Sequence, residues 1–131
     1  MTTNKENFLK IENVTLENIK ATIFHSYGSK NFRTAIIFKK DKNNVNNIIS
    51  KEQLSYYFIK LMTINVNSLS EKVCNLVSQS TKYTNKVEYN KLLISDSEIT
   101  KKTKNLIFLK TKLIYKGEDI IAFSNSIWEI N

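Results

Sequence analysis

The chain has 131 residues, which is enough for one hydrophobic core and too few for two. Hydrophobic residues make up 41% of it and aromatic residues 11%, proportions that exclude a disordered chain. The formal charge of +8 fits a phosphate-bearing partner, but every basic residue except Arg33 is a lysine and the lysines are spread evenly, as on a solvated surface.

The first part of the chain predicts an N-terminal segment followed by two strands. Residues 1–18 are expected to form an arm or a short helix, because residues 3–6 have the sequence pattern of a capping box and precede a group of apolar residues. Apolar side chains then recur at every second position over residues 19–25 and again over residues 32–38. Gly28 lies between the two runs, so we expect a β-hairpin that turns near it.

A long central helix has the clearest sequence signal. Ser50 and Gln53 have the spacing of a capping box at the start of a helix. After them, apolar residues follow the helical spacing of one buried face: Leu54, Tyr57, Phe58, Leu61 and Ile64. This pattern predicts a helix over residues 50–68, with one face that must be covered by an apolar surface.

The remainder of the chain has the pattern of β-strands. We expect them at residues 73–80, 86–94, 98–104, 106–115 and 120–130, with Gly117 in the turn between the last two. The whole chain, residues 1–131, is therefore expected to form a single α+β domain. In it, one long central helix is wrapped by a curved antiparallel sheet of five to seven strands.

Two stretches in the second half carry a family resemblance. KVEYNKLLISDSEI, at residues 86–99, is a strand that leads into a short polar break, and NLIFLKTKLIYKGEDIIAFSNSIWEI, at residues 105–130, is a hairpin closed by a glycine turn. Over residues 19–130 the pattern resembles the hotdog fold of acyl-thioesterases of the acyl-carrier-protein and 4-hydroxybenzoyl-CoA types. The resemblance implies no bound cofactor, with coenzyme A or pantetheine entering as part of the substrate.

The segment DKNNVNN, at residues 41–47, extends the resemblance to a candidate site. Thioesterases of these types have a segment of the form Asp-x-x-x-x-His-Val-Asn-Asn just before the central helix. Here Asp41, Val45, Asn46 and Asn47 match that form with one residue missing. Asn44 holds the position of the family's histidine, and because an amide takes up no proton at neutral pH, imidazole acid–base chemistry is not available there.

The resemblance implies roles for these residues. Hydrolysis of a thioester needs a base or nucleophile near the carbonyl carbon, and donors aimed at the carbonyl oxygen. The N–H groups at the start of the central helix are suitable donors. The expected catalytic residues are Asp41, Asn43, Asn44 and Glu52, and the residues expected to hold the coenzyme part of the substrate are Asn46, Asn47 and Ser50.

Each candidate also has a purely structural explanation. An Asp followed by Asn residues is typical of a turn, and a run of asparagines is common in a chain this rich in Asn. Ser50 is explained by capping, and an acidic Glu52 in the first turn is favoured by the helix dipole.

Cysteine, histidine and tryptophan each occur once. Cys74 permits no intramolecular disulfide, which favours a reducing, cytoplasmic setting, and we expect it to be a small buried side chain. His25 shares the apolar face of its strand, and without a second histidine or cysteine the sequence predicts no metal site. Trp128 is expected to be a core or interface anchor. No apolar run approaches the ~18–20 residues of a membrane span.

Three functions remain open from the sequence. The first is an enzyme that acts on acyl-CoA or acyl-carrier-protein thioesters, and the second is a hotdog protein that binds or assembles without catalysis. In both cases the exposed sheet edge favours a homodimer or tetramer. The third is a basic nucleic-acid-binding domain whose bases stack on aromatic residues flanked by lysines: Tyr83, Tyr89, Phe108 and Tyr115.

Overall fold

The computed structural model describes residues 7–16, 19–27, 32–40, 49–115 and 119–131. They form, in chain order, β1 (Asn7–Leu16), β2 (Ile19–Tyr27), β3 (Arg33–Lys39), α1 (Lys51–Ser70), β4 (Cys74–Tyr83), β5 (Leu92–Lys102), β6 (Leu106–Tyr115) and β7 (Ile120–Ile130). The strands make one sheet in the order β1-β2-β3-β5-β6-β7-β4, and every neighbouring pair is antiparallel. The predicted architecture of one long helix on an antiparallel sheet is confirmed.

The central helix begins where the capping box predicts it. Ser50 Oγ accepts a hydrogen bond from the Gln53 N–H at 3.1 Å, and Gln53 Oε1 accepts one from the Ser50 N–H at 3.1 Å. The helix ends at Glu71, whose left-handed backbone (φ 57°) stops the helical hydrogen bonding. Its buried face contains the predicted residues Leu54, Tyr57, Phe58 and Leu61, together with Met62, Asn65, Val66 and Ser70.

The core lies between α1 and one face of the sheet. The helix packs against β3, β4, β5 and β6, and the edge of the Tyr57 ring meets the Phe38 ring at a centroid distance of 5.0 Å. Alternate residues of β6 are buried beneath it. Trp128 in β7 is buried as predicted and donates from Nε1 to Ser126 Oγ at 2.8 Å. Each large apolar side chain buried here stabilises the fold by about 1.5–3 kcal/mol.

An arm or a short helix was predicted for residues 1–18, and the helix is wrong over residues 7–16. These residues form β1, which pairs along its length with β2, from Asn7 opposite Tyr27 to Leu16 opposite Ile19. The capping box at residues 3–6 lies outside the described residues. The backbone bonds to β2 override the local helical signal.

The predicted strands at residues 86–94 and 98–104 are also wrong in their bounds. A single strand, β5, includes residues 92–94 of the first and residues 98–102 of the second, and residues 84–91 form an irregular connection between β4 and β5. The polar residues that suggested a break include Ser95 and Ser97, which are buried and lie on the helix side of β5.

Both predicted hairpins, β2–β3 and β6–β7, are present, although the turns at residues 28–31 and 116–118 are outside the described residues. The sheet has two edges, β1 and β4. A register shift in β4 between Leu76 and Ser78 leaves Val77 exposed. Within the ranges described, no helix combines the length and apolar character that crossing a bilayer requires.

Candidate functional site

A cleft of about 740 Å³ lies at the N-terminal end of α1. Three parts of the chain form it: the start of the helix, the connection after β4, and the facing ends of β6 and β7. Its lining residues are Ile49, Ser50, Lys51, Leu54, Tyr83, Thr84, Asn85, Lys86, Val87, Glu88, Tyr115, Asp119 and Ile121.

The floor of the cleft is apolar and continuous with the core. Ile49, Leu54, Val87 and Ile121 all line it, and each is at most 4% exposed. Together they belong to the main hydrophobic cluster of the protein. An apolar floor beneath a partly polar rim is typical of sites that bury a small-molecule ligand.

The start of α1 supplies hydrogen-bond donors to the cleft. The Gln53 N–H is bonded to Ser50 Oγ, and the Leu54 N–H donates to the Ser50 carbonyl at 2.9 Å. The N–H groups of Lys51 and Glu52 therefore precede the first intrahelical bond, at the positive end of the helix dipole. A carbonyl oxygen or an anion at the cleft would be stabilised there.

The rim of the cleft carries charges of both signs. Lys51 and Lys86 are positive, whereas Glu88 and Asp119 are negative. Glu88 makes an ion pair with Lys91, three residues further along. The lysines are suitably placed for phosphate groups at the mouth of the cleft, although as single ammonium groups rather than as an arginine fork.

One wall of the cleft is the connection at residues 84–91, and hydrogen bonds to neighbouring elements hold both of its ends. Thr84 donates from its N–H to the Ile121 carbonyl (2.8 Å) and from Oγ1 to the Ile120 carbonyl (2.6 Å). At the other end, the Asn90 N–H donates to the Phe38 carbonyl at 2.7 Å. The wall is therefore preformed.

Tyr115, at the end of β6, holds the middle of that wall. Its hydroxyl accepts a hydrogen bond from the Glu88 N–H at 2.6 Å and donates to the Lys86 carbonyl at 3.3 Å. The Lys91 ammonium lies 5.5 Å from the centre of the Tyr115 ring. Burial raises the pKa of the Tyr115 hydroxyl, so it stays protonated and can make both bonds at neutral pH.

The predicted site residues divide into two groups. Asp41, Asn43, Asn44, Asn46 and Asn47 lie outside the described residues, and their predicted roles stay predictions. Ile49, the next described residue along the chain, lines the cleft.

The other two predicted residues belong to the start of the helix. Ser50 lines the cleft and is the N-cap, so its capping role is confirmed, and its role in holding the coenzyme stays a prediction. Glu52 is exposed in the first helical turn and is not among the lining residues.

His25 is far from the cleft. It belongs to β2, stacks on Phe32 at 5.9 Å between ring centroids, and places Nδ1 3.2 Å from the Ser26 carbonyl. Ile19, whose carbonyl accepts from the Tyr57 hydroxyl near the helix start, is six positions earlier on the same strand. This separation corresponds to roughly 20 Å along β2, and His25 is not among the residues that line the cleft.

The four aromatic residues proposed as a nucleic-acid platform do not form one surface. Tyr83 and Tyr115 line the cleft, and Tyr89 packs against the core. Phe108 alternates with the buried Ile107 and Leu109, and therefore lies on the opposite face of the sheet. Stacking of successive bases needs adjacent exposed rings, which these four positions do not provide.

The sequence matches no protein-family model, and no curated protein matches it either. Solved structures, in contrast, share the architecture. Thioesterase superfamily member 2 from zebrafish is 12% identical, and the alignment covers 83% of this chain and 81% of that chain with a TM-score of 0.64. The smu.793 protein from Streptococcus mutans UA159, bound to acetyl CoA, is 9% identical, covering 96% and 90% of the two chains with a TM-score of 0.62.

A hypothetical thioesterase from Streptococcus pneumoniae TIGR4, solved with coenzyme A, also shares the architecture at low sequence identity. It is 10% identical, with 76% of this chain and 78% of that chain covered and a TM-score of 0.62. The chain has the hotdog fold. At these identities the likeness shows the hotdog fold alone, and the activity has to be argued from the cleft.

Proposed function

We propose that this protein is an acyl-thioester hydrolase, or a related hotdog enzyme, that acts on acyl-CoA or acyl-carrier-protein substrates. The observation that carries the proposal is the cleft at the start of α1. There the start of the helix, where the N–H groups of Lys51 and Glu52 precede the first intrahelical bond, adjoins an apolar floor. Two proteins of the same fold have coenzyme A or acetyl CoA bound, which supports this substrate class.

In the proposed complex the acyl group lies on the apolar floor and the thioester oxygen accepts from the helix N–H groups. These donors stabilise the negative charge that develops on the oxygen as the carbonyl carbon is attacked. Lys51 and Lys86 meet the phosphates of the coenzyme at the rim. Asp41 activates the attacking water, or attacks directly, and Asn43 or Asn44 orients the reactants. Asn46 and Asn47 contribute contacts to the coenzyme arm.

The proposed active form is a homodimer. The β4 edge has no neighbouring strand within the described chain, and both Val73 (64% exposed) and Val77 (55% exposed) lie along it. A second copy that pairs with this edge across a two-fold axis would satisfy its backbone groups and cover both side chains. The single buried Cys74 fits a reducing, cytoplasmic setting.

Thiol release from a panel of acyl-CoA thioesters of different chain lengths tests the activity. The Asp41→Asn variant is expected to lower kcat about 100-fold or more, because it removes the proposed base or nucleophile and keeps the side-chain size. Asp96→Asn is the matched control, since Asp96 lies outside the cleft and contacts Arg33 at 3.6 Å. Absence of turnover with every thioester in the panel would contradict the proposed hydrolase.

A second candidate is a hotdog protein that binds a thioester without hydrolysing it. Among the described cleft residues, Ser50 and Glu88 already have structural roles, because Ser50 caps the helix and Glu88 pairs with Lys91. The absence of the family histidine at Asn44 favours the same candidate. Saturable binding of acyl-CoA in calorimetry, without thiol release over hours, would identify it.

A further inference from the structure

The ends and the middle of the cleft wall at residues 84–91 are held in place by different contacts. Its ends are held by hydrogen bonds of Thr84 and Asn90 to neighbouring strands. Its middle is held by the Val87 side chain, which is 2% exposed, and by the Tyr115 hydroxyl. This middle part carries the two charged rim residues, Lys86 and Glu88, on either side of Val87.

We propose that Tyr115 is a positioning residue that fixes residues 86–88 and so presents Lys86 at the rim before a ligand arrives. The role in ligand binding rests on the proposed function. The hydroxyl contacts the main chain on both sides of Val87, accepting from the Glu88 N–H and donating to the Lys86 carbonyl. It therefore sets the backbone position from which both charged side chains extend.

The ring of Tyr115 makes the hydroxyl a fixed point. The ring packs against the hydrophobic core. The backbone N–H of Tyr115 donates to the Asp119 carbonyl at 3.0 Å, across the end of the β6–β7 hairpin. A wall held in its binding position loses less conformational entropy when the ligand binds. Removing the hydroxyl leaves the Glu88 N–H without that acceptor and lets residues 86–88 move.

The Tyr115→Phe variant tests the role because it keeps the ring and removes only the hydroxyl. The loss of two hydrogen bonds to one short segment is expected to raise KM for acyl-CoA, or Kd for coenzyme A, about three- to tenfold. We expect kcat to stay within about twofold, since the hydroxyl does not contact the reacting atoms. Tyr56→Phe is the matched control, because it removes a phenol hydroxyl from the exposed side of the helix, outside the cleft.

Amide hydrogen exchange followed by NMR on the ligand-free protein gives a readout that does not depend on activity. In Tyr115→Phe the Glu88 N–H should exchange about fivefold faster or more, while the N–H groups of Thr84 and Asn90 keep their wild-type rates. Tyr56→Phe should leave all three rates unchanged. Faster exchange at all three positions would instead show general destabilisation and overturn the local role.

The two measurements separate this proposal from the proposed function. Unchanged exchange at Glu88 in Tyr115→Phe overturns the positioning role, even if the wild-type protein hydrolyses thioesters. Faster exchange with no binding of coenzyme A or acyl-CoA by either protein leaves the structural contact standing, but overturns the proposed function and with it the role in ligand binding. Faster exchange with an unchanged KM or Kd also overturns the role in ligand binding.

Discussion

The two halves of α1 face different surroundings. At its N-terminal end the helix borders a cleft with an apolar floor and a charged rim. In its C-terminal half, Asn65 is fully buried among hydroxyl groups of the sheet. It accepts from Thr34 Oγ1 at 3.0 Å and donates from Nδ2 to Ser95 Oγ (3.0 Å) and Ser97 Oγ (2.9 Å). Ser97 continues the network to Thr111 at 2.8 Å.

The polar groups at the two ends of the helix therefore have different roles: those near Asn65 stabilise the fold, and those at the helix start border the cleft. Around Asn65 the polar groups bond to one another, and every buried side-chain N or O atom in the described ranges has a partner. Around the helix start, in contrast, the N–H groups of Lys51, which lines the cleft, and of Glu52 precede the first intrahelical hydrogen bond. Polar side chains beneath the helix are therefore not by themselves a sign of a site.

The largest effect on stability is expected from the removal of Asn65. The Asn65→Leu variant leaves Thr34, Ser95 and Ser97 buried with fewer hydrogen-bond partners, so we expect the free energy of unfolding to fall by about 2–4 kcal/mol. Urea denaturation measures the change, and Ser68→Ala, an exposed change on the same helix, is the control. A loss below about 0.5 kcal/mol would show that the network contributes little to stability.

Tyr57 lies on the buried face of the N-terminal half of the helix, and the pKa of its hydroxyl gives a pH-dependent prediction. Burial, with a smaller contribution from neighbouring Tyr56, raises the pKa of Tyr57 to about 12 from its ordinary 10.0. Between these values the unfolded chain loses the proton and the folded chain retains it, so stability falls as the pH rises from 10 to 12. We expect this residue to account for roughly 1–3 kcal/mol of the loss.

The Tyr57→Phe variant isolates that contribution, because phenylalanine has no hydroxyl to ionise. Its free energy of unfolding should decline less steeply than that of the wild type between pH 10 and 12, as measured by chemical denaturation at each pH. Parallel curves for the two proteins would contradict the assignment to Tyr57.

The smallest expected effect is at the cleft end of the helix. Ser50→Ala removes the cap from the Gln53 N–H, and the usual result is a loss of about 1 kcal/mol. The loss should be smaller than that of Asn65→Leu, because Ser50 and Gln53 are at an exposed helix end that water can reach. An equal or larger loss at Ser50 would contradict the distinction between the two halves.

Much of the fold could be predicted because its strongest signals are local. The capping box at Ser50 and the spacing of Leu54, Tyr57, Phe58 and Leu61 identified the helix. The two errors came from contacts that each segment makes with residues outside itself. In the sequence, the polar residues Ser95 and Ser97 suggest a break in a strand. In the structure their buried hydroxyl groups accept hydrogen bonds from Asn65, which is 30 and 32 positions earlier in the chain. Residues 7–16 become a strand through pairing with β2.

The candidate site could be predicted only in part. The helix start was identified from Ser50, since capping leaves a recognisable pattern. The rest of the cleft, including Lys86, Tyr115 and Asp119, comes from segments well separated from the helix in sequence. The one available signal was the group of tyrosines among lysines, and it suggested a stacking surface because the sequence does not show which face each ring occupies.

Cys74 provides a natural probe of how the protein opens. It lies where the helix returns to the sheet edge, is 4% exposed, and has its sulfur 3.6 Å from Ser70 Oγ. It is also the chain's single thiol. A thiol reagent can reach it only when that junction separates, so the labelling rate under native conditions reports the free energy of that separation directly. Local opening of the native protein can therefore be measured at Cys74 without an engineered cysteine.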